Sequence, residues 1–333
     1  MKKIGLTTTV PIEVLIAAGY EPFDLNNLFV TSENHLHYID IAEQDGFPKS
    51  MCAWIKGIYG ACIKHNVKEI IAVMEGDCSN TKVLNDILKA KGVILHSFSF
   101  PHSHIIQDVD REMKRFMKYF GVSTEAVEEI RKRLNQIREK VKRIDDYSFS
   151  KDVVSGFENH LLQLCMSDLD GNPSNYEKLI DDKLLDIENR SPNKKKLRLG
   201  YIGVPPMTGD LFDFVETLDA RFIYSEVQRE FSFPRFEMAK NITEQYYDYT
   251  YPYDFDFRVK EIQKQVKLRN LDGIIHYTQA FCHKAAEHIL LKDQLDIPIL
   301  NIEGDKLNVL DARTKLRLEA FLDMLGDLKV VVK

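Results

Sequence analysis

The chain repeats itself, and the repeat restricts its fold more than any other feature. Val67-Lys68-Glu69-Ile70-Ile71 matches Leu271-Asp272-Gly273-Ile274-Ile275 at an offset of 204 residues, and the same offset carries Cys78 onto Cys282 without a gap. Upstream, the stretch from Ile4-Gly5 to Val10-Pro11 matches Leu199-Gly200 to Pro205-Pro206 at an offset of 195. Both copies alternate short apolar runs with helical patterns, which implies parallel, doubly wound sheets. Ile70-Ile71-Ala72-Val73-Met74 is continuously apolar, as in a strand buried on both faces. Strands are expected over 4–10, 20–25, 70–74 and 93–95, and again over 197–204, 221–227, 271–277 and 297–302. Helices are expected after Pro11, from Pro48 and over 79–89, then over 210–218 and 285–291. An amphipathic helix with Leu316, Leu318, Ala320, Phe321 and Met324 closes the chain.

Between His104 and Arg190 no convincing strand occurs. Val127, Ile130, Leu134, Ile137, Val141 and Ile144 recur at helical spacing behind Ser123, a plausible N-cap. Eleven basic and five acidic residues lie between Arg111 and Arg143. A solvated helix face is the plain reading; a docking surface for an acidic partner or a phosphate-rich ligand is the sharper one. Ser191-Pro192-Asn193 and the lysines after it read as a linker. The 333 residues therefore divide into an α/β domain at 1–104, a helical segment and linker at 105–195, and a second, similar α/β domain at 196–333.

The net charge of −6 argues against binding nucleic acid by bulk charge. No apolar run approaches the ~18 residues of a membrane span, and MKKIGLTTTV lacks a signal-peptide pattern, so a cytoplasmic protein is expected. In that reducing compartment the five cysteines are thiols or metal ligands before they are disulfides.

Cys78 and Cys282 each lie just past the carboxyl end of a buried strand, entering a helix, where open α/β sheets bind ligands. A helix N-terminus favours the thiolate over the thiol. Cys52 starts a helix too, and a cleft between the two domains would bring all three sulfurs together. Three sulfurs cannot close a four-ligand structural zinc site. They can hold three irons of a [4Fe–4S] cube and leave the fourth open to water or substrate. Cys62 and Cys165 sit in apolar surroundings and read as core residues. His283, next to Cys282, is either a surface histidine or a catalytic acid.

Gly5-Leu6-Thr7-Thr8-Thr9-Val10-Pro11-Ile12-Glu13-Val14, with Ala17-Ala18-Gly19-Tyr20-Glu21-Pro22, resembles the opening of the 2-hydroxyacyl-CoA dehydratase family. Cys52, Trp54, Lys56 and Gly57 match its Cys-x-Trp-x-Lys/Arg-Gly element. Gly76-Asp77-Cys78-Ser79-Asn80 matches in full, Phe281-Cys282-His283 resembles the late cysteine element, and Arg317-Leu318-Glu319-Ala320-Phe321 the closing helix. The resemblance implies two Rossmann- or flavodoxin-like domains with one [4Fe–4S] cluster per chain, held by Cys52, Cys78 and Cys282. It implies a separate ATP-hydrolysing iron–sulfur activator, since no GxxxxGK[ST] occurs here. It also implies a homodimer, or a heterodimer with a homologous subunit, working anaerobically.

The implied reaction is radical elimination of water from a 2-hydroxyacyl-CoA through a ketyl. The related alternative is an ATP-coupled reductase of a small molecule, using the same cluster or a bridged double-cubane one. A third reading is an electron-carrying or ligand-binding module, with Glu13 or Glu75 capping the fourth iron. Glu13, Glu75 and His283 are the candidate catalytic residues.

Overall fold

The computed structural model describes residues 2–249 and 255–331. The first sheet is built from β1 (Lys2–Leu6), β2 (Tyr20–Asp24), β3 (Glu69–Glu75) and β4 (Ile94–Ser99). Between them run α1 (Ile12–Ala17), α2 (Leu25–Val30), α3 (His35–Gln44), α4 (Ala53–Lys64) and α5 (Ser79–Ala90). Four helices follow: α6 (Ile106–Phe120), α7 (Thr124–Ser150), α8 (Gly156–Cys165) and α9 (Pro173–Glu188). The second sheet comprises β5 (Leu197–Gly203), β6 (Ala220–Ser225), β7 (Gly273–Gln279) and β8 (Ile299–Gly304). Its helices are α10 (Leu211–Thr217), α11 (Glu226–Ser232), α12 (Ile242–Tyr247), α13 (Phe255–Arg269), α14 (Glu287–Gln294) and α15 (Ala312–Val331).

Both sheets are wholly parallel and share one topology, β2-β1-β3-β4 and β6-β5-β7-β8. The two offsets are explained by this. β1 and β5 begin 195 residues apart and β3 and β7 begin 204 apart; β1 and β3 lie side by side at the centre of the first sheet, as β5 and β7 do in the second. The expected α/β class with two similar parallel sheets and helices between them is what the chain adopts. No helix of the described residues is long and apolar enough to cross a membrane.

Two local expectations shift. The helix placed from Pro48 begins only at Ala53, because the carbonyl of Pro48 accepts the Met51 N–H in a turn and Cys52 becomes the N-cap. Proline's fixed φ suits a turn as well as a helix start. The span after β6, where no element was expected, holds α11, α12 and α13. Phe233, Phe236, Ile242 and Tyr246 from this span are buried with Leu6, Phe98, Phe116 and Val141 in the core beside the first sheet. That segment's apolar pattern is incomplete because its partners lie in the other half of the chain.

The helix α7 behaves as its periodicity predicts, with Ser123 Oγ accepting the Ala126 N–H at 3.2 Å. Its cationic surface is largely neutralised within the chain. Nine of the eleven basic residues from Arg111 to Arg143 form ion pairs, including Arg133 and Lys140 with Glu177, and Arg143 with Glu188, all on α9. A free cationic docking face is thereby largely removed.

Two buried charges on α7 reach opposite halves of the molecule. Arg138 Nη1 donates to Glu13 Oε1 on α1 at 2.8 Å. Seven residues on, Asp145 accepts Nη1 and Nη2 of Arg269 on α13 at 2.9 and 2.5 Å, and Asn159 Nδ2 at 2.9 Å. Burial pushes the Asp145 carboxyl up, but Arg269 outweighs it and holds it below the usual range. Replacing Arg269→Leu removes the carboxylate's bidentate partner and leaves it only Asn159 and Arg229, whose Nε lies 3.8 Å away, so it should cost about 3 kcal/mol in urea unfolding. Adding Asp145→Asn should restore part of the loss.

His160 on α8 is fully buried, stacks on Phe212 at 4.6 Å between centroids, and accepts Gln228 Nε2 at Nδ1 over 2.8 Å. Burial lowers its pKa to about 3. The unfolded chain therefore binds a proton below pH ~6.5 that the folded chain refuses, so stability falls as pH drops through the window from ~6.5 to about 3. At pH 5 this contributes about 2 kcal/mol of destabilisation relative to pH 7. His160→Gln should lose that component, read as a flatter unfolding free energy against pH.

Candidate functional site

The ends of the two central strand pairs face one cavity, open to solvent. Thr7 and Thr8 follow β1, Asp77 and Cys78 follow β3, Val204 and Pro205 follow β5, and His276 to Gln279 end β7. Strand order reverses at these positions in both sheets, which is where open α/β folds bind ligands. Trp54, Ile55, Ile58, Val227 and Phe231 supply apolar walls. Trp54 is held by donation from its indole N–H to Asn26 Oδ1 at 2.7 Å.

Cys52, Cys78 and Cys282 all line this cavity, whereas Cys62 and Cys165 do not. Cys52 is the N-cap of α4 and Cys78 that of α5, with Cys78 Sγ accepting the Asn80 N–H at 3.4 Å. Cys282 caps a 3-10 turn at His283–Ala286. Cys62 is packed under β3, Cys165 against the other core, and burial raises both thiols to about 12.

The helix starts do not make thiolates on their own. Burial pushes Cys52 up to about 11, against the pull of the Ile55 and Trp54 N–H groups, with Cys282 and Cys78 adding to the rise. Burial likewise raises Cys78 and Cys282. Desolvating a sulfur anion costs more than one turn of N–H dipoles returns. Bound cationic metal would invert that balance. Among the described residues no three His, Cys, Asp or Glu side chains gather closely enough to hold a single metal ion.

His283 lines the cavity beside Cys282. Glu13 and Glu75 do not. Glu13 is fully buried on α1, where its oxygens accept Arg138, Gln245 Nε2 at 2.8 Å and Tyr246 Oη at 2.9 Å. Glu75 turns outward and accepts the His102 N–H at 2.7 Å.

The reading from sequence passed over Gln279, the repeat partner of Glu75 at the offset of 204. The pairing of β3 with β4 is irregular between Val73 and Glu75, whereas β7 pairs with β8 in continuous register to Gln279. One strand end is thus rotated away from the cavity and the other is not. Gln279 and Thr278 are 1 and 3 % exposed, and Gln279 Nε2, Gln279 Oε1 and Thr278 Oγ1 have no hydrogen-bond partner. Buried polar groups are nearly always paired, so these point to a ligand that pairs them.

Arg258 was also passed over, since nothing in its helix distinguishes it. Its Nε and Nη2 donate to Glu226 at 2.5 and 2.7 Å, and its Nη1 to Glu287. Glu226 Oε2 accepts the Gly203 N–H at 2.9 Å, fixing the end of β5. Gly203 has φ +101°, and a Cβ there would lie 2.0 Å from the carbonyl oxygen of Tyr277, so only glycine fits.

A search among curated proteins finds no match. The sequence profile of the family described as 2-hydroxyglutaryl-CoA dehydratase, D-component, matches residues 7–325, a span that contains every strand but β1 and all three cavity cysteines. By that match the chain belongs to the 2-hydroxyglutaryl-CoA dehydratase D-component family.

Proposed function

We propose that the chain works as a 2-hydroxyacyl-CoA dehydratase-like component, with Cys52, Cys78 and Cys282 holding one [4Fe–4S] cluster in the cavity. A separate ATP-hydrolysing iron–sulfur activator would supply single electrons. With domain limits at 1–104, 105–195 and 196–333, the ligands come from both α/β domains. The observation that carries the reading is that three of the five cysteines, from three separate helix starts, line one cavity. That suits a cube, in which each thiolate binds a different iron. When bound, such a cluster supplies an open iron that is both a Lewis acid and an acceptor of single electrons.

The chain's own residues then bind and orient. A 2-hydroxyacyl group offers a carbonyl oxygen and a hydroxyl side by side. Gln279 can donate Nε2–H to the first and accept the second at Oε1, with Thr278 Oγ1 beside it. The apolar walls around Trp54 and Phe231 exclude water from the reacting group. His283 is the proposed donor of a proton to the departing hydroxyl.

One observation favours the reductase as a second reading. Arg258 and Lys284 are the Lys and Arg residues that line the cavity, and both are paired with Glu287 or Glu226. Among the described residues that line the cavity no free cation waits for the phosphates of CoA, whereas a small neutral molecule needs none.

Anaerobically purified protein should contain about four irons per chain. Cys52→Ser, Cys78→Ser and Cys282→Ser should each deplete iron and sulfide, while Cys62→Ser and Cys165→Ser should retain both. An iron-free protein after reconstitution would defeat the reading. A 2-hydroxyacyl-CoA should perturb the electron paramagnetic resonance signal of the reduced protein more than the acyl-CoA lacking the hydroxyl. Gln279→Leu should erase that difference while leaving the iron content unchanged. A response to small reducible molecules, with thioesters silent, would favour the reductase.

A further inference from the structure

A second cavity adjoins the first across the loop that follows β5. Val204 and Pro205 line the first cavity, whereas Pro206, Met207, Thr208 and Gly209 line the second. Its other walls come from the α2–α3 connection, with His35, and from α8, with His160. Phe157, Leu161, Leu164, Met207 and Phe212 make it largely apolar. Among the described residues that line it there is no lysine, arginine or cysteine.

Polar groups without partners stand in these apolar walls. His35 and Thr208 are 7 and 4 % exposed, and His35 Nε2 and Thr208 Oγ1 have no hydrogen-bond partner. Buried polar groups are nearly always paired, so these two point to a ligand that pairs them. Burial lowers the pKa of His35, against the pull of the Leu307 and Ser32 carbonyls, and that of His160 to about 3. Both rings are therefore neutral at pH 7, each with one donor and one acceptor nitrogen. The carbonyls draw the His35 proton away from the unpartnered Nε2, which is left as an acceptor. His160 accepts Gln228 at Nδ1, so its own proton sits on Nε2 as a donor. Glu33, which is exposed, is the ionised group among the lining residues, and it repels anions.

We propose that this cavity is an effector site for a small uncharged molecule with a hydrogen-bond donor and acceptor side by side on an apolar body, of which a carboxamide is the simplest case. Its N–H would donate to His35 Nε2, its carbonyl oxygen would accept His160 Nε2–H, and Thr208 Oγ1 would take a bond that remains. Few polar groups in an apolar pocket are what orient such a ligand. Two packed routes carry its presence to the first cavity. Met207 N–H donates to Tyr277 Oη at 3.3 Å, and Tyr277 lines the first cavity. The His35 ring meets Phe29 edge-on at 5.9 Å between centroids, and Phe29 meets Trp54 edge-on at 5.5 Å. Trp54 is the chain's single tryptophan and a wall of the first cavity. Binding in the second cavity needs no cluster in the first.

Calorimetric titration of the full chain with benzamide, and with benzoate as an anion of the same shape, tests the site. Benzamide should bind with a dissociation constant on the order of millimolar and shift the emission of Trp54. Benzoate should bind at least roughly tenfold more weakly, because its charge meets no cation and leaves His35 Nε2 without a donor. Thr208→Val, which keeps the side chain's shape, and His35→Phe should each weaken benzamide roughly tenfold, while Gln279→Leu in the first cavity should not. Unchanged circular dichroism would confirm that the variants fold. The proposal is overturned by an absence of benzamide binding, which would leave the cavity to water, or by equal affinity for benzoate. It is equally overturned by indifference to both Thr208→Val and His35→Phe, by loss of binding in Gln279→Leu, or by binding that leaves Trp54 emission unchanged.

Discussion

The arrangement of the two sheets rests on one helix, α7, and on two ion pairs that it buries. Arg138 and Asp145 stand seven residues apart, two turns along the same face. Arg138 engages Glu13 beside the first sheet, and Asp145 engages Arg269 below the second. Arg269 is committed further, since its Nη1 also donates to the Ile223 carbonyl of β6. Each charge is removed from water and compensated by an opposite charge and further hydrogen bonds, from Gln245 and Tyr246 to Glu13 and from Asn159 to Asp145, the condition under which a buried pair holds a structure in register. Because each pair joins a different half to the same rigid rod, the strand ends are brought to face one another. The cavity is a consequence of that placement.

The cavity itself is an imperfectly doubled site. Duplicated strands place Cys78 and Cys282 equivalently, but the two strand ends are used differently. The irregular pairing at the end of β3 turns Glu75 away from the cavity, onto the His102 N–H, and the regular register of β7 keeps Gln279 within the wall. Cys52 has no counterpart among the three, which leaves an odd number of sulfurs and an asymmetric polar lining. Asymmetry of this kind suits a ligand that must be held in one orientation.

Electrostatics decide more by burial than by proximity here. Helix starts are reason to expect ready thiolates, yet all three cavity thiols are shifted upward, chiefly because burial desolvates them, with Asp77 adding to the rise at Cys78 and neighbouring sulfurs adding to it at Cys52 and Cys78. Similarly, the cationic run of α6 and α7 looks like a docking face until α9 is laid beside it with Glu177, Asp181 and Glu188. A count along the chain sees charges, and only packing shows which ones are spent.

By itself the sequence determined the strand–helix alternation, the two repeated sheets, the capped long helix and the three cysteines worth grouping. These follow from local periodicity, cap chemistry and a constant offset, all of which are readable along one line. Helices α11 to α13 were not legible, because part of their apolar pattern is completed by Leu6, Phe98 and Val141 from the other half. Tertiary structure decided that Cys52 lines the same cavity as Cys78 and Cys282, that Glu13 is a buried strut, and that Gln279 rather than Glu75 faces the cavity. Each depends on contacts between residues far apart in the chain, or on a one-residue irregularity in a strand. A rotation of that kind moves a side chain out of the cavity wall without changing its place in the sequence.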